Sequence, residues 1–346
     1  MRSVFCAMCL LGSLSFGALD VAASQSLSTA NATSKSLNQA CVDSFPVDFT
    51  NMNGTVEGLL SLYSSEHYRQ LDKALNCLMQ PEVHFDSGRS GASAAYWFYR
   101  KQMPAPAADE AEPGRIAKWR ADSPQSVFAK FAELRFMYSD AWRIRGGGYA
   151  AQTPDEAMKL FLQKLGECEQ AILTAPADVR DTPLAQNLLL AVVTDGGGTS
   201  DPMAVFREGV AKWPSYYDFY EVMLSRLVPK WGGNWQTVDS FVNYWADKRS
   251  SVEGDAMYAR LYASLIMKHE DPDQTLLEWS RMKLSLSDLG SRFPGKESFN
   301  LALSLACLYD DAAYYKQVFP KLGEESVDFS YWVPLRDPYA CAALGR

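Results

Sequence analysis

Between Asp201 and Lys248 apolar side chains recur every third or fourth residue. Met203, Phe206, Val210 and Trp213 form one set, Tyr216, Tyr220, Met223 and Leu227 a second, and Trp235, Val238, Val242 and Trp245 a third. At about 3.6 residues per turn each set falls on one face of a helix, whereas a strand repeats on alternate residues. The stretch therefore predicts three helices folded back on one another, with stops at Pro214 and Gly232-Gly233. Proline has no amide to continue a helix, and glycine adopts the left-handed turn that ends one. Asp201-Pro202 supplies the start, because the Asp side chain caps free amides and Pro at the first helical position loses none. Connections this short make neighbouring helices antiparallel.

The same pattern runs through much of the chain. Tyr68, Leu71, Leu75 and Leu78 begin the periodic structure, and Ala92 to Met103 reads as a helix with Tyr96, Trp97 and Tyr99 turned inward. Val83-His84-Phe85 reads as a short extended piece. Met158, Phe161, Leu165, Cys168 and Ile172 form a further helical face, as do Trp279, Met282, Leu286 and Leu289. Ser123-Pro124, Thr153-Pro154, Thr182-Pro183, Asp201-Pro202 and Asp271-Pro272 each place a capping side chain before a proline. Thr153 with Glu156 also matches a capping box. Helices end near Pro176, Pro214 and Pro294, and a further junction is expected near Ser250-Ser251. That is a repeat of roughly 40 residues, two helices per unit, the mark of helical-hairpin repeats that must stack to cover their apolar faces. The last pair is expected at Ser298 to Leu308 and Ala312 to Leu322, with Tyr331, Trp332 and Tyr339 in a tail that docks as a cap. The expected fold class is all-α.

Composition narrows the role. Hydrophobic residues make up 47% of the 346 positions, enough for a core. The net charge of −8 argues against a nucleic-acid surface, which needs clustered positive charge. Residues 1–23 read as an export signal: Arg2, an apolar run through Leu19, then Val21-Ala22-Ala23 for cleavage. No other stretch is long and apolar enough to span a membrane. The mature chain is thus expected to be soluble and exported, periplasmic or secreted. Residues 24–64 are expected to form a linker and N-terminal extension, and 65–346 the helical-repeat domain, with a sub-boundary at the acidic, proline-flanked loop 104–113. Beyond the signal lie Cys41, Cys77, Cys168, Cys307 and Cys341. Cys168 and Cys307 sit in apolar helical patterns and read as small core side chains. Cys41 and Cys77 flank the first folded segment and are the candidate disulfide, although sequence does not fix connectivity.

A resemblance adds to this. Trp119, Ser123-Pro124-Gln125-Ser126, Ala141-Trp142-Arg143-Ile144-Arg145-Gly146-Gly147-Gly148-Tyr149-Ala150, Pro214-Ser215-Tyr216-Tyr217 and Leu227-Val228-Pro229-Lys230-Trp231-Gly232-Gly233 follow one another through the middle of the chain. The pattern resembles the bacterial family called domain of unknown function 4034. That resemblance implies a tetratricopeptide-like α-solenoid and carries no catalytic residues.

Chemistry is sparse. His67, His84 and His269 are scattered, and neither HExxH nor paired CxxC occurs beyond the signal, so no metal or cofactor is expected. His84-Phe85-Asp86 reads as an ordinary surface turn rather than a ligand pair. Gly88-Arg89-Ser90-Gly91 lacks the spacing of a nucleophile elbow. Gly146–Gly148 and Gly196–Gly198 follow helices and lack the Lys-Ser or Lys-Thr of a phosphate loop, so helix termination accounts for them. Arg143, Arg145 and the Gly146–Gly148 amides are a secondary candidate for holding an anion. Tyr149, Trp231 and Trp235 lie at or beside glycine-rich corners, where rings either pack or line a concave surface. Arg145, Tyr149, Trp231 and Trp235 are therefore the candidate binding residues, and no catalytic residue is assigned. The expected function is a non-enzymatic scaffold for another protein or peptide. The alternative is an α/α-toroid enzyme acting on polysaccharide, in which the first and last hairpins would touch.

Overall fold

The structure, a computed structural model, describes residues 48, 50–107, 109–268, 270, 276–322, 327–334 and 338–342. The export segment, the linker behind it, Cys41, His269 and the Asp271-Pro272 start lie outside the described residues. The described residues open with α1 (Met52–Ser64), α2 (Tyr68–Leu78) and α3 (Gly91–Gln102). Then come α4 (Glu112–Asp122), α5 (Val127–Arg145), α6 (Asp155–Leu173), the single turn α7 (Ala177–Arg180) and α8 (Pro183–Thr194). The middle holds α9 (Pro202–Lys212), α10 (Asp218–Leu227), α11 (Trp235–Glu253) and α12 (Ala256–Met267). Last are α13 (Trp279–Arg292), α14 (Lys296–Leu308), α15 (Ala312–Val318) and α16 (Pro338–Ala342). The fold is all-α. The extended piece expected at Val83-His84-Phe85 is only a single antiparallel bridge between His84 and Ser90, and no strand occurs among the described residues. No helix among them is long and apolar enough to cross a membrane.

Three helices fill the stretch from Asp201 to Lys248 as its periodicity predicts. Phe206, Tyr216, Tyr220, Val238 and Val242 are buried, while Met203 is exposed. Local capping decides the starts. Asp201 accepts from Met203 N and Ala204 N, and Thr182 from Ala185 N. Two other starts differ from expectation. Ser123 ends α4, its amide donating to Trp119 O, so Ser126 caps α5 instead by accepting from Ala129 N at 3.0 Å. Thr153 forms no capping box; its hydroxyl donates to Tyr149 O in the preceding 3-10 turn. The junction near Ser250-Ser251 also moves. An Arg249–Glu253 pair one turn apart, at 2.5 Å, carries α11 through it to Gly254, whose φ of +60° stops the helix.

Helical structure begins before residue 65. Val56, Leu59 and Tyr63 share one face of α1 and are buried, and α1 packs on α3. Gly54, Gly58 and several serines dilute that pattern in the sequence. The loop 104–113 is not wholly solvent-facing either. Glu112 is fully buried, accepting from Tyr63 Oη at 2.6 Å and Gln102 Nε2 at 3.0 Å. One hydrophobic cluster, from Val56 to Val333, runs across that loop.

Sequence neighbours pack as pairs: α5 on α6, α8 on α9, α11 on α12 and α14 on α15. Alternate helices also touch, as α6 with α8, α8 with α10 and α10 with α12. Each apolar stripe is thus covered from two sides. The beginning and end of the chain meet. Tyr331 Oη donates to Asn51 Oδ1 at 3.1 Å. The turn before α3 inserts among late helices: Arg260 donates to Ser87 O, Gly88 lies against the Phe293 ring, and Arg89 pairs with Glu221 at 3.0 Å and Glu297 at 3.6 Å.

The tail docks on α14, where Trp332 Nε1 donates to Asn300 Oδ1 and Val333 N to Ser304 Oγ. A disulfide joins Cys307 to Cys341, which corrects the reading of Cys307 as a plain core side chain. The helical pattern around Cys307 shows burial but not its partner, which folds back 34 residues later. Cys77 is disulfide-bonded. Cys168 is free and buried, and burial pushes its thiol up to about 12.

Candidate functional site

The helices α3, α5, α8 and α10 surround a cavity of about 820 Å³. Its rim is the turn Pro104–Pro106, the glycine corner from Gly147 to Ala150, and Lys230-Trp231. Each helix presents one face inward. From α5 come Arg135, Tyr138, Trp142 and Arg145, which share a face by their spacing of three or four. From α8 come Leu184, Leu188, Ala191 and Asp195, with Asn187 beside them. Tyr96, Trp97 and Arg100 enter from α3, and Asp218, Glu221 and Ser225 from α10.

The wall is richer in cations than the chain as a whole. Arg100, Arg135, Arg145, Arg226, Lys230 and Lys268 face three carboxylates, Asp195, Asp218 and Glu221. Several of the cations have no carboxylate of their own. Arg135 is 6% exposed; its Nη2 donates to Met103 O at 3.0 Å and its Nε has no partner. Arg100 lies over the Trp97 ring at 4.7 Å and over the Tyr96 ring at 5.7 Å. It is crowded by neighbours yet open to solvent along the cavity. Burial holds Arg135 below its ordinary value, with Arg100 adding to the effect. Burial does the same to Lys268, against the pull of Glu221 and with Arg100 again opposing its charge.

The acids differ in how far they are neutralised. Burial raises Asp195 although Oδ2 accepts from Tyr138 Oη at 2.8 Å and Trp142 Nε1 at 3.0 Å, and Arg226 stands 3.8 Å from Oδ1. Glu221 is buried too, but Arg89 and Lys268 outweigh that and hold it below the usual carboxylate range. Asp218 is raised, by burial first and then by Glu221. Ser93 Oγ donates to Asp218 Oδ2 at 2.6 Å, and Oδ1 has no partner. Trp97 Nε1 and both side-chain amide atoms of Asn187 are likewise buried without a hydrogen-bond partner. Buried polar atoms rarely go unpaired, and four residues of this one wall carry such atoms.

Ser225 and Lys268 come close enough to resemble a nucleophile–base pair, at 2.8 Å. The geometry gives them another role. Ser225 Oγ donates to Glu221 O one turn back at 2.7 Å, so its proton is committed and Lys268 acts as donor. Among the described residues no group of three or more His, Cys, Asp or Glu side chains is placed to hold a metal ion.

Three of the four candidate binding residues line this cavity: Arg145, Tyr149 and Trp231. Trp235 does not; it is half-buried against the core at the start of α11. Arg145 stacks on Trp142 at 4.8 Å, and its Nη1 donates to Gly146 O and Gly148 O. The glycine corner therefore turns carbonyls toward Arg145, while Arg143 pairs with Asp140 at 2.7 Å and points elsewhere. The secondary candidate, an anion nest of Arg143, Arg145 and the glycine amides, is not assembled. The second glycine cluster does hold an anion, an internal one. Glu169 on α6 accepts from Thr199 N at 2.9 Å and Ser200 N at 2.8 Å. Burial opposes its charge, but these bonds prevail and hold the carboxyl below its ordinary value. Gly198, at φ +76°, lets the turn wrap the carboxylate, where any Cβ would collide with it.

Arg100, Arg135, Asn187 and Asp218 escaped the sequence reading because they sit on four different helices far apart in the chain. The available signal was polar residues at positions otherwise facing inward on apolar helices, as with Asn187 amid Leu184, Leu188 and Leu190. No family model, no curated protein and no solved structure matches this chain.

Proposed function

We propose that the chain is an exported, non-enzymatic binding protein that takes a ligand into the cavity between α3, α5, α8 and α10. One observation carries this reading: buried polar atoms of Trp97, Arg135, Asn187 and Asp218 stand unpartnered around a cavity of about 820 Å³. A volume of that order suits a compact organic molecule or the end of a peptide. The reading keeps the binding role expected from the sequence and moves the ligand from an outer groove to the interior. Residues 1–23 would direct export, to the periplasm or the medium. The helical pairs would be tetratricopeptide-like hairpins, as the resemblance to the domain of unknown function 4034 family implies.

The test is a thermal-shift screen of the purified mature protein against peptides, sugars and small metabolites. A ligand at about a hundred times its Kd stabilises by about 2.7 kcal/mol. Ala191→Phe, which puts a ring into the cavity, is expected to abolish that gain. A hit whose effect survives Ala191→Phe binds elsewhere and defeats the reading.

A second reading, an α/α-toroid enzyme acting on polysaccharide, is favoured by the Tyr331–Asn51 contact between chain ends and by Asp195 and the raised Asp218 sharing one cavity. Glycan hydrolysis that disappears in Asp218→Asn would establish it over the binding role.

A further inference from the structure

We propose that the ligand of this cavity is an organic anion, its carboxylate or phosphate head held by Arg100, Arg135 and Trp97 Nε1, its flat apolar body against the rings of Tyr138 and Trp142. The inference rests on the binding reading above and names the ligand's chemistry.

Free donors carry the argument. Arg135 is 6% exposed, has no carboxylate among the described residues and keeps Nε unpartnered. A buried guanidinium without a counter-charge is costly unless something compensates it. Arg100 beside it makes no ion pair within 4 Å among the described residues; it lies over the faces of Tyr96 and Trp97 and feels Glu221 and Asp218 only at longer range. The indole Nε1 of Trp97 is a third buried donor lacking an acceptor. The nearby carboxylates do not serve. Glu221 is bridged by Arg89, and Asp195 is occupied by Tyr138, Trp142 and Arg226. Arg135 Nε and Trp97 Nε1 thus lack acceptors, although Asp218 Oδ1 and Asn187 Oδ1 on the same wall are also unpaired, and the partner that satisfies these two donors is rich in acceptors and negatively charged. A guanidinium fork matches carboxylate and phosphate equally, so the head group is specified as an anion of either kind. A cationic ligand would face Arg100, Arg135 and Lys268 together. The body is specified by the aromatic wall, which offers ring faces and edges to a flat apolar partner.

The experiment uses the mature chain and three probes of one shape: 1-naphthoate, 1-naphthyl phosphate and the uncharged 1-naphthamide. Calorimetry gives affinity, and the indole N–H signals of the tryptophans show whether a probe enters the cavity. At least one anion is expected to bind about tenfold tighter than the amide and to move the Trp97 indole signal. Whichever anion binds identifies the head group. Arg100→Gln, a solvent-open position, is expected to erase the preference by weakening the anions more than the amide, with helicity unchanged. An amide that binds as well as both anions, or an anion preference that survives Arg100→Gln, overturns the proposal and leaves the cavity-binding reading standing. If no probe moves an indole the proposal falls too, and the broader reading then stands or falls on the thermal-shift screen.

Discussion

Tyr331 donates its hydroxyl to the side-chain oxygen of Asn51 at 3.1 Å, joining positions 280 residues apart. The same oxygen caps α1 by accepting from Gly54 N at 2.9 Å. One side chain thus starts the first helix and anchors the last segment. Tyr331→Phe is expected to cost about 1 kcal/mol, one hydrogen bond's net worth. Asn51→Ala also removes a cap and is expected to cost about 2 kcal/mol. In urea denaturation the double variant should cost less than the sum of the two. Strict additivity would mean that the ends of the chain do not meet in solution.

Glu169 holds the turn before α9 through the amides of Thr199 and Ser200. Glu169→Gln presents an NH2 group where two N–H donors converge, and a loss of about 2 kcal/mol is expected. Because the folded carboxyl is held below its ordinary 4.5, the stability it contributes is complete above that pH and drains as pH falls through the depressed value. The gap between wild type and Glu169→Gln should therefore narrow on acidification. A gap that is constant from pH 7 to pH 3 would show that the charge is not what holds the turn.

Asp218 runs the other way. Burial, with Glu221 beside it, pushes it from 3.8 up to about 6. Below 3.8 the group is protonated in both states; between 3.8 and about 6 the unfolded chain releases the proton that the folded chain keeps, so the folded state loses stability as pH rises, and above about 6 the whole cost of the buried charge remains. Asp218→Asn cannot ionise. It should gain stability relative to wild type as pH rises from 5 to 8, read as the difference between their melting temperatures. Parallel curves for the two proteins would rule out the raised carboxyl.

The Cys307–Cys341 disulfide ties α16 to α14 across 34 residues. Closing a loop of that length contributes about 4 kcal/mol. Cys341→Ser is expected to lower stability by about that amount and to leave the helical signal intact, since α14 keeps its own buried face. Loss of most of the helicity would instead assign the tail a part in folding the whole chain.

Fold class and helix placement were legible in the residues because they depend on local rules. Phe206, Tyr220 and Val242 repeat at the pitch of a helix, and Asp201 and Thr182 carry caps their neighbours can use. Where two local rules competed, only the structure shows which won: Ser126 rather than Ser123 caps α5, and Arg249–Glu253 carries α11 past two serines. Of the four candidate binding residues at glycine corners, Arg145, Tyr149 and Trp231 line the cavity, whereas Trp235, at an equal corner, turned to the core.

By itself the sequence determined the helices and their approximate ends, since hydrophobic spacing and capping act within a few residues. Only the tertiary structure decided that Asn51 meets Tyr331, that Cys307 meets Cys341 and that Arg100, Arg135, Asn187 and Asp218 face one another. Those relations join segments tens to hundreds of residues apart. They arise from how the helices stack, which no periodicity along a single helix encodes.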